Sequence, residues 1–209
     1  MRVALLGGTF DPPHVGHLLV ASDAFESLRL DRLVFVPASQ QPLKRESIAA
    51  AAAHRLRMVE LMTQGDRRFS VDEIEIRRTG LSYTVDTLEE YARRLPESER
   101  FFLLGADAFA TLDQWRDPAR ILGLARLVII PRATEAGSPA PGTSRGEDEL
   151  TRRARAIGGA GTVPPLSLVA RRVDVSSSEI RERVRTGRPI RGFVTDAVLQ
   201  YIESNGLYR

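Results

Sequence analysis

Val3-Ala4-Leu5-Leu6-Gly7-Gly8-Thr9-Phe10-Asp11-Pro12-Pro13-His14-Val15-Gly16-His17 passes without a linker from an apolar tetrad into a turn rich in glycine and proline. Two of the chain's three histidines stand in it, three residues apart. The tetrad reads as a buried first strand, and Leu18 to Leu30 as the helix that follows. Paired glycines let the backbone approach a ligand closely, and the prolines keep the turn stiff and non-helical. A helix start offers free N–H groups and partial positive charge, which suits a phosphate. Imidazoles at this spacing can face one bound group. The string therefore reads as a site for a charged phosphate. Three other readings fit the same residues locally: the glycine turn of an ordinary α/β protein, histidines that cap or pack, and a metal site of Asp11, His14 and His17. Neither a GxGxxG fingerprint nor a GxxxxGK[ST] loop occurs anywhere in the chain.

Outward from the turn, strands and helices alternate. Arg32 to Pro37 reads as a second buried strand, Ile48 to Gln64 as a helix with apolar Leu56, Val59 and Met62, and Phe69 to Ile76 as an alternating strand. Thr84 to Leu95 reads as a helix capped by Ser82 or Thr84. Phe101 to Leu104 and Leu127 to Ile130 are short buried strands, with a helix over Asp117 to Ala125 between them. Ser167 to Val175 reads as the last strand. Ser176-Ser177-Ser178-Glu179 starts a helix closed by Gly187, and Thr195 to Ser204 forms a final one. This order predicts an α/β fold, a doubly wound and mostly parallel sheet with ligands at the carboxyl ends of its strands. Ala133 to Pro165, rich in Gly, Pro, Ser and Thr around a charged stretch, reads as a mobile surface excursion built on one amphipathic helix.

Composition narrows the function classes. The chain has no cysteine, which excludes disulfides, a thiol nucleophile and a thiolate metal site. No apolar run reaches the ~18–20 residues of a membrane helix, and the first residues run directly into a strand. No membrane partner and no signal peptide are expected, and the cytoplasm is the expected location. At 209 residues one domain with a real core is expected. The net charge of +3 and a pI near 9.8 agree because Lys44 is the only lysine and arginine keeps its proton to very high pH. Arginine runs such as Arg152-Arg153-Ala154-Arg155 read as solvated helix faces, so no nucleic-acid partner is expected. A homo-oligomer is left open.

Four further constellations fall at strand ends. Lys44, in the segment after the second strand, is either a phosphate ligand or a solvated lysine. In Arg78-Thr79-Gly80-Leu81-Ser82-Tyr83-Thr84, a glycine turn leads into a helix start that suits a carboxylate, or is an ordinary cap. Gly105-Ala106-Asp107 follows a buried strand, and Trp115, the only tryptophan, either packs or stacks on a flat ring. Ser176, Ser177 and Ser178 with Arg181 one turn on form either a second phosphate cradle or a capped helix with a surface arginine.

GGTFDPPHVGH resembles the signature of the nucleotidyltransferase superfamily, (H/T)xGH, in the form found in bacterial nicotinate mononucleotide adenylyltransferases. RTGLSYTVDTL at 78–88, GAD at 105–107 with Trp115 and Ile121, and VSSSEIR at 175–181 extend the likeness over about 1–132 and 167–209. The resemblance implies a Rossmann-like single domain with a small helical C-terminal part over 176–209. It implies adenylyl transfer from ATP to nicotinate mononucleotide, in NAD biosynthesis, without a covalent intermediate. His14, His17, Lys44 and Arg181 would be catalytic. Gly7, Gly8, Thr9, Phe10, Gly16, Gly105, Asp107 and Ser176–Ser178 would bind ATP, while Ser82, Tyr83, Thr84 and Trp115 would hold the mononucleotide. Mg²⁺ would ride on the ATP phosphates, with no metal site in the protein. Leu43 stands where the family commonly has histidine, and Ser178 where it has threonine. Transfer to nicotinamide mononucleotide or phosphopantetheine, a non-catalytic nucleotide sensor, an RNA-binding module and a metallohydrolase are the other functions weighed.

Overall fold

The architecture comes from a computed structural model, in which residues 1–39, 49–78, 80–131, 144–171 and 173–209 are described. In chain order the elements are β1 (Arg2–Gly8), α1 (Val15–Ser27), β2 (Arg32–Pro37), α2 (Ala52–Thr63), β3 (Phe69–Val71), α3 (Ile74–Arg77) and α4 (Thr84–Arg94). They continue with β4 (Glu99–Gly105), α5 (Ala106–Ala110), a 3-10 turn (Leu112–Gln114), α6 (Pro118–Leu124) and β5 (Arg126–Ile130). The last are α7 (Ser144–Gly158), β6 (Leu166–Ser167), α8 (Ser177–Arg185) and α9 (Asp196–Ser204). The strands form one sheet in the order β3-β2-β1-β4-β5-β6, with every neighbouring pair parallel.

Side-chain alternation along the strands divides the core in two. Ala4, Leu6, Leu33, Phe35, Phe101 and Leu103 face a cluster shared with α1, α2, α8 and α9. Val3, Leu5, Val34, Val36, Phe102 and Leu104 face one shared with α4, α6 and α7. Buried on both faces, the strands must be apolar runs, which is why β1, β2, β4 and β5 are plain in the sequence.

Two expected strands are shorter than the sequence suggests. Beyond Val71 the chain turns because Asp72 Oδ1 accepts the Ile74 N–H at 3.0 Å, and α3 follows where alternation predicted strand through Ile76. Ser167 ends β6 because the chain then peels off onto α1: Asp23 accepts the Arg171 N–H at 2.8 Å and its Nε at 2.9 Å. The helix expected from Ile48 starts at Ala52, since the Ala49 and Ala50 amides are already bonded to Asp11. Within the expected surface excursion, α7 lies against α6 with Ala154 fully buried, and Arg153 bonds the Asp113 carboxylate at 2.9 Å.

The register places the functional cleft. Pairing of β1 with β4 ends at Leu6↔Leu103, yet β1 continues beside β2 to Gly8↔Pro37 and β4 beside β5 to Gly105↔Ile130. Past Leu6 and Leu103 the two central strands part, at the point where the strand order reverses. Open parallel sheets bind ligands at such a switch point.

Candidate active site

The turn leaving β1 is built around its aromatic and imidazole rings. Phe10 is buried in the left-handed region, at φ 50°, uncommon for a non-glycine residue. Its ring lies 5.0 Å from that of His17 and 5.8 Å from Phe35. Gly8 is required beneath it, because a Cβ there would come to 2.9 Å from Phe10 Cζ. Gly16 is nearly as tight, with a Cβ falling 3.0 Å from His14 Nδ1 and Cε1. Gly7 is exposed at the parted edge of the sheet.

His14 occupies the N-cap of α1, which begins at Val15 rather than at Leu18. The imidazoles of His14 and His17 stack with centroids 3.8 Å apart, so both present to one place. His17 Nδ1 accepts the His14 N–H at 3.1 Å, which puts the neutral ring's proton on Nε2. Burial lowers the His14 pKa to about 4, and burial together with His14 holds His17 well below the usual imidazole range. Both rings are therefore neutral near pH 7, and His17 offers a hydrogen bond from Nε2–H rather than a full positive charge. His14 Nδ1 is buried without a hydrogen-bond partner, an unmet polar group beside the turn.

Asp11 is the hub of the turn, only 2% exposed. Its Oδ2 accepts the Ala49 N–H at 2.7 Å, and Oδ1 accepts the Ala50 N–H at 3.1 Å and the Tyr208 hydroxyl at 2.8 Å. These bonds engage Asp11 and His17 Nδ1 in holding the turn. Among the described residues no group of three or more His, Asp or Glu stands together as a metal site.

The N-terminus of α8 closes on the same turn. Ser177 Oγ donates to the Pro12 carbonyl at 2.8 Å, and Arg181 Nη1 to the Asp11 carbonyl at 2.7 Å. Ser176 Oγ caps the helix at the Glu179 N–H (3.1 Å), and Ser178 Oγ accepts from Arg181 Nη2 at 3.3 Å. Ser177 and Arg181 thus hold the helix start against the turn, and free amides at a helix start suit an anion. At α1 the first of these donors is used internally, Val15 N–H bonding the Phe193 carbonyl at 3.0 Å.

The other candidate residues lie at the ends of β2 and β4. Tyr83, not Ser82 or Thr84, is the N-cap residue of α4, and no side chain caps that helix. Ser82 Oγ instead accepts the Ser39 N–H at 3.0 Å, tying this turn to the end of β2. Burial raises the pKa of Glu75, opposed by hydrogen bonds from Thr87 and Ser82; Thr87 Oγ1 donates to it at 2.8 Å. The Arg116 guanidinium covers the Tyr83 ring at 4.9 Å and lies 3.5 Å from the Asp86 carboxylate. Trp115 is half-buried against Phe102, at 6.4 Å and edge-on, with its indole N–H buried and unpartnered. Gly105 caps α5, and Asp107 is exposed in that helix's first turn. Lys44 and Leu43 lie outside the described residues.

One residue that joins these parts was not singled out in the sequence. Arg55 of α2 is fully buried, donating to the Thr9 carbonyl at 2.6 Å, the Ser39 carbonyl at 2.8 Å and the Ala50 carbonyl at 3.2 Å. Through Ser39 it reaches Ser82, so the histidine turn and the start of α4 share one buried cation. Its signal was its position: 55, 58, 59 and 62 form the buried stripe of α2, an arginine where apolar residues belong. Tyr208 was also missed, and nothing local marks it.

A parallel sheet in this order, with a glycine turn and two helix starts at its switch point, defines a Rossmann-type nucleotide-binding protein. Residues 5–183 match the cytidylyltransferase-like family model. The chain is 48% identical over 209 residues to a Gemmatimonas aurantiaca protein named "probable nicotinate-nucleotide adenylyltransferase", covering all of this chain and 93% of that one. A Thermus thermophilus protein of the same name is 42% identical, with both chains fully covered. In fold it is similar to the Plasmodium falciparum nicotinic acid mononucleotide adenylyltransferase complexed with NaAD (TM-score 0.75, 17% identity, 99% and 97% of the two chains covered). The chain belongs to the nicotinate-nucleotide adenylyltransferase family of cytidylyltransferase-like proteins. Among the described residues no helix is long and apolar enough to cross a membrane.

Proposed function

We propose that this protein transfers the adenylyl group of ATP to nicotinate mononucleotide, giving nicotinate adenine dinucleotide and pyrophosphate in NAD biosynthesis. The observation that carries this reading is the opening where β1 and β4 part, with the stacked-histidine turn and Arg181 at the end of β1 and, at the end of β2, a start of α4 that no side chain caps.

In this reading the triphosphate lies along the turn. A phosphate oxygen of the mononucleotide attacks the α-phosphorus in line, and the bond from that phosphorus to the bridging oxygen breaks, releasing pyrophosphate. His17 donates from Nε2–H to a phosphoryl oxygen, and His14 uses its unpartnered nitrogen in the same cluster. Arg181 and Lys44 take phosphate charge from the flanks. Gly7, Gly8, Thr9, Phe10, Gly16, Gly105 and Asp107 shape the ATP side. Tyr83 and Thr84 offer amides to the nicotinate carboxylate, Trp115 stacks on its ring, and Ser82 holds that turn in place. Catalysis is then positioning plus preorganised hydrogen bonding. The nucleotide substrate is the magnesium complex of ATP, with the ion carried on its phosphates. Location in the cytoplasm and any homo-oligomer belong to this proposal as well.

Mixing the protein with ATP, Mg²⁺ and nicotinate mononucleotide and separating the nucleotides tests it. Nicotinate adenine dinucleotide and pyrophosphate should form in equal amounts, and a protein that binds ATP but makes neither would overturn the assignment.

A further inference from the structure

Arg181 presents a puzzle that the C-terminus resolves. Its Nη1 lies 3.9 Å from Asp11 Oδ2, yet it donates to the Asp11 carbonyl instead of forming a forked pair with the carboxylate. A buried carboxylate beside a guanidinium ordinarily forms that pair, which gives two charge-assisted hydrogen bonds. Here the carboxylate is occupied from its other sides: Ala49 N–H on Oδ2, Ala50 N–H and the Tyr208 hydroxyl on Oδ1. Two of these donors are backbone. The third is the hydroxyl of Tyr208.

Tyr208 is held in place: Leu207 N–H bonds the Ile202 carbonyl at 3.1 Å, and Leu207 and Tyr208 pack, half-buried, against the core cluster that holds Ala4 and Leu6. Its backbone is left-handed, at φ 66°, a conformation unfavourable for a residue with a Cβ. That turn aims the phenol back at Asp11, 197 residues away in sequence. No groove or ligand is needed to explain the geometry, only the Asp11 carboxylate.

We infer that Tyr208 is a positioning residue: its hydroxyl holds the Asp11 carboxylate against Ala49 and Ala50, and so keeps Arg181 from being captured by Asp11 and leaves its guanidinium for the polyphosphate of ATP. The inference rests on the proposed role of Arg181 and deepens it. When the hydroxyl is lost, Oδ1 has a vacant lone pair and the carboxylate can rotate into the forked pair. ATP must then break that pair to bind. The loss falls on ATP and spares the acceptor, whose contacts lie on α4 and Trp115.

The test is Tyr208→Phe, alone and combined with Arg181→Ala, with ATP affinity read by calorimetry and nicotinate mononucleotide affinity by Trp115 fluorescence. The hydroxyl's loss should weaken ATP about tenfold, the scale of one hydrogen bond to a charged group. Mononucleotide affinity should hold, and Tyr208→Phe should add no further loss in the Arg181→Ala background. Removal of Tyr208 and Arg209 together should give the same pattern, which keeps the test usable if the phenylalanine packs badly. Unchanged ATP affinity, equal loss for both ligands, or an independent further loss on top of Arg181→Ala would each overturn the inference. ATP binding needs no turnover, so failure of the adenylyl-transfer assignment would show separately, as ATP binding without product.

Discussion

Replacing Gly16 with alanine separates catalytic geometry from stability. A Cβ at Gly16 would meet His14 Nδ1 and Cε1 at 3.0 Å, closer than ordinary contact, and His14 must give by a few tenths of an ångström. The ring is already stacked on His17 at 3.8 Å, so its movement disturbs the pair and the bond from His14 N–H to His17 Nδ1. Overpacking of this kind costs about 1–3 kcal/mol. Alanine in place of glycine within a helix returns about 0.5–1 kcal/mol, so the net loss of stability should be no more than about 2.5 kcal/mol. Catalysis has no such offset. A misplacement of ~1 Å can lower a rate about 10²-fold, and the smaller shift here predicts roughly tenfold or more in kcat. The assay is steady-state pyrophosphate release beside urea denaturation of the same preparation. Full turnover in a variant that folds normally would refute the claim that the stacked histidines do the positioning.

Other perturbations reach separate parts of the account. His14 is buried neutral with its pKa lowered to about 4, so between about pH 6.5 and 4 the unfolded chain binds a proton that the native state does not. Stability therefore falls as pH drops through that window, by at most about 3.4 kcal/mol from this group, and His14→Gln should flatten the slope in denaturant titrations; an identical slope would contradict the burial argument. Trp115→Ala removes a ring worth about 0.5–1.5 kcal/mol of stacking, so the KM for nicotinate mononucleotide should rise roughly threefold to tenfold with that for ATP unchanged. Arg55→Met leaves the Thr9, Ser39 and Ala50 carbonyls without their donor and should cost about 3–5 kcal/mol in chemical denaturation. A loss below about 1 kcal/mol would deny Arg55 its joining role.

What the sequence makes legible follows from how local each cause is. Four of the six strands can be read because burial on both faces demands unbroken apolar runs. The ends of β3 and β6 escape such reading, since single carboxylates, Asp72 and Asp23, take amides away from the sheet. On the site side, the histidine turn and the Ser176–Arg181 helix start are each written in adjacent residues, and the fold brings the two into contact. The cap of α4 is not legible, because Ser82, a good capping residue by type, is drawn off to Ser39 by a contact 43 positions away. Asp11 reads locally as a metal ligand for the same reason: its partners Ala49, Ala50 and Tyr208 cannot be seen from its neighbours. The protonation state of the two histidines is hidden as well, because the burial that makes them neutral donors comes from the packed fold rather than from adjacent residues.

The most direct measurement of the central claim is the initial rate of pyrophosphate release from ATP with nicotinate mononucleotide, nicotinamide mononucleotide and phosphopantetheine, each offered alone. In the proposed reading the start of α4, which no side chain caps, takes the carboxylate and Trp115 takes the pyridine ring. Release should be fast with the nicotinate form, much slower with the amide and absent with phosphopantetheine. Equal rates with the two mononucleotides would contradict the carboxylate site, and a preference for phosphopantetheine would contradict the assignment itself.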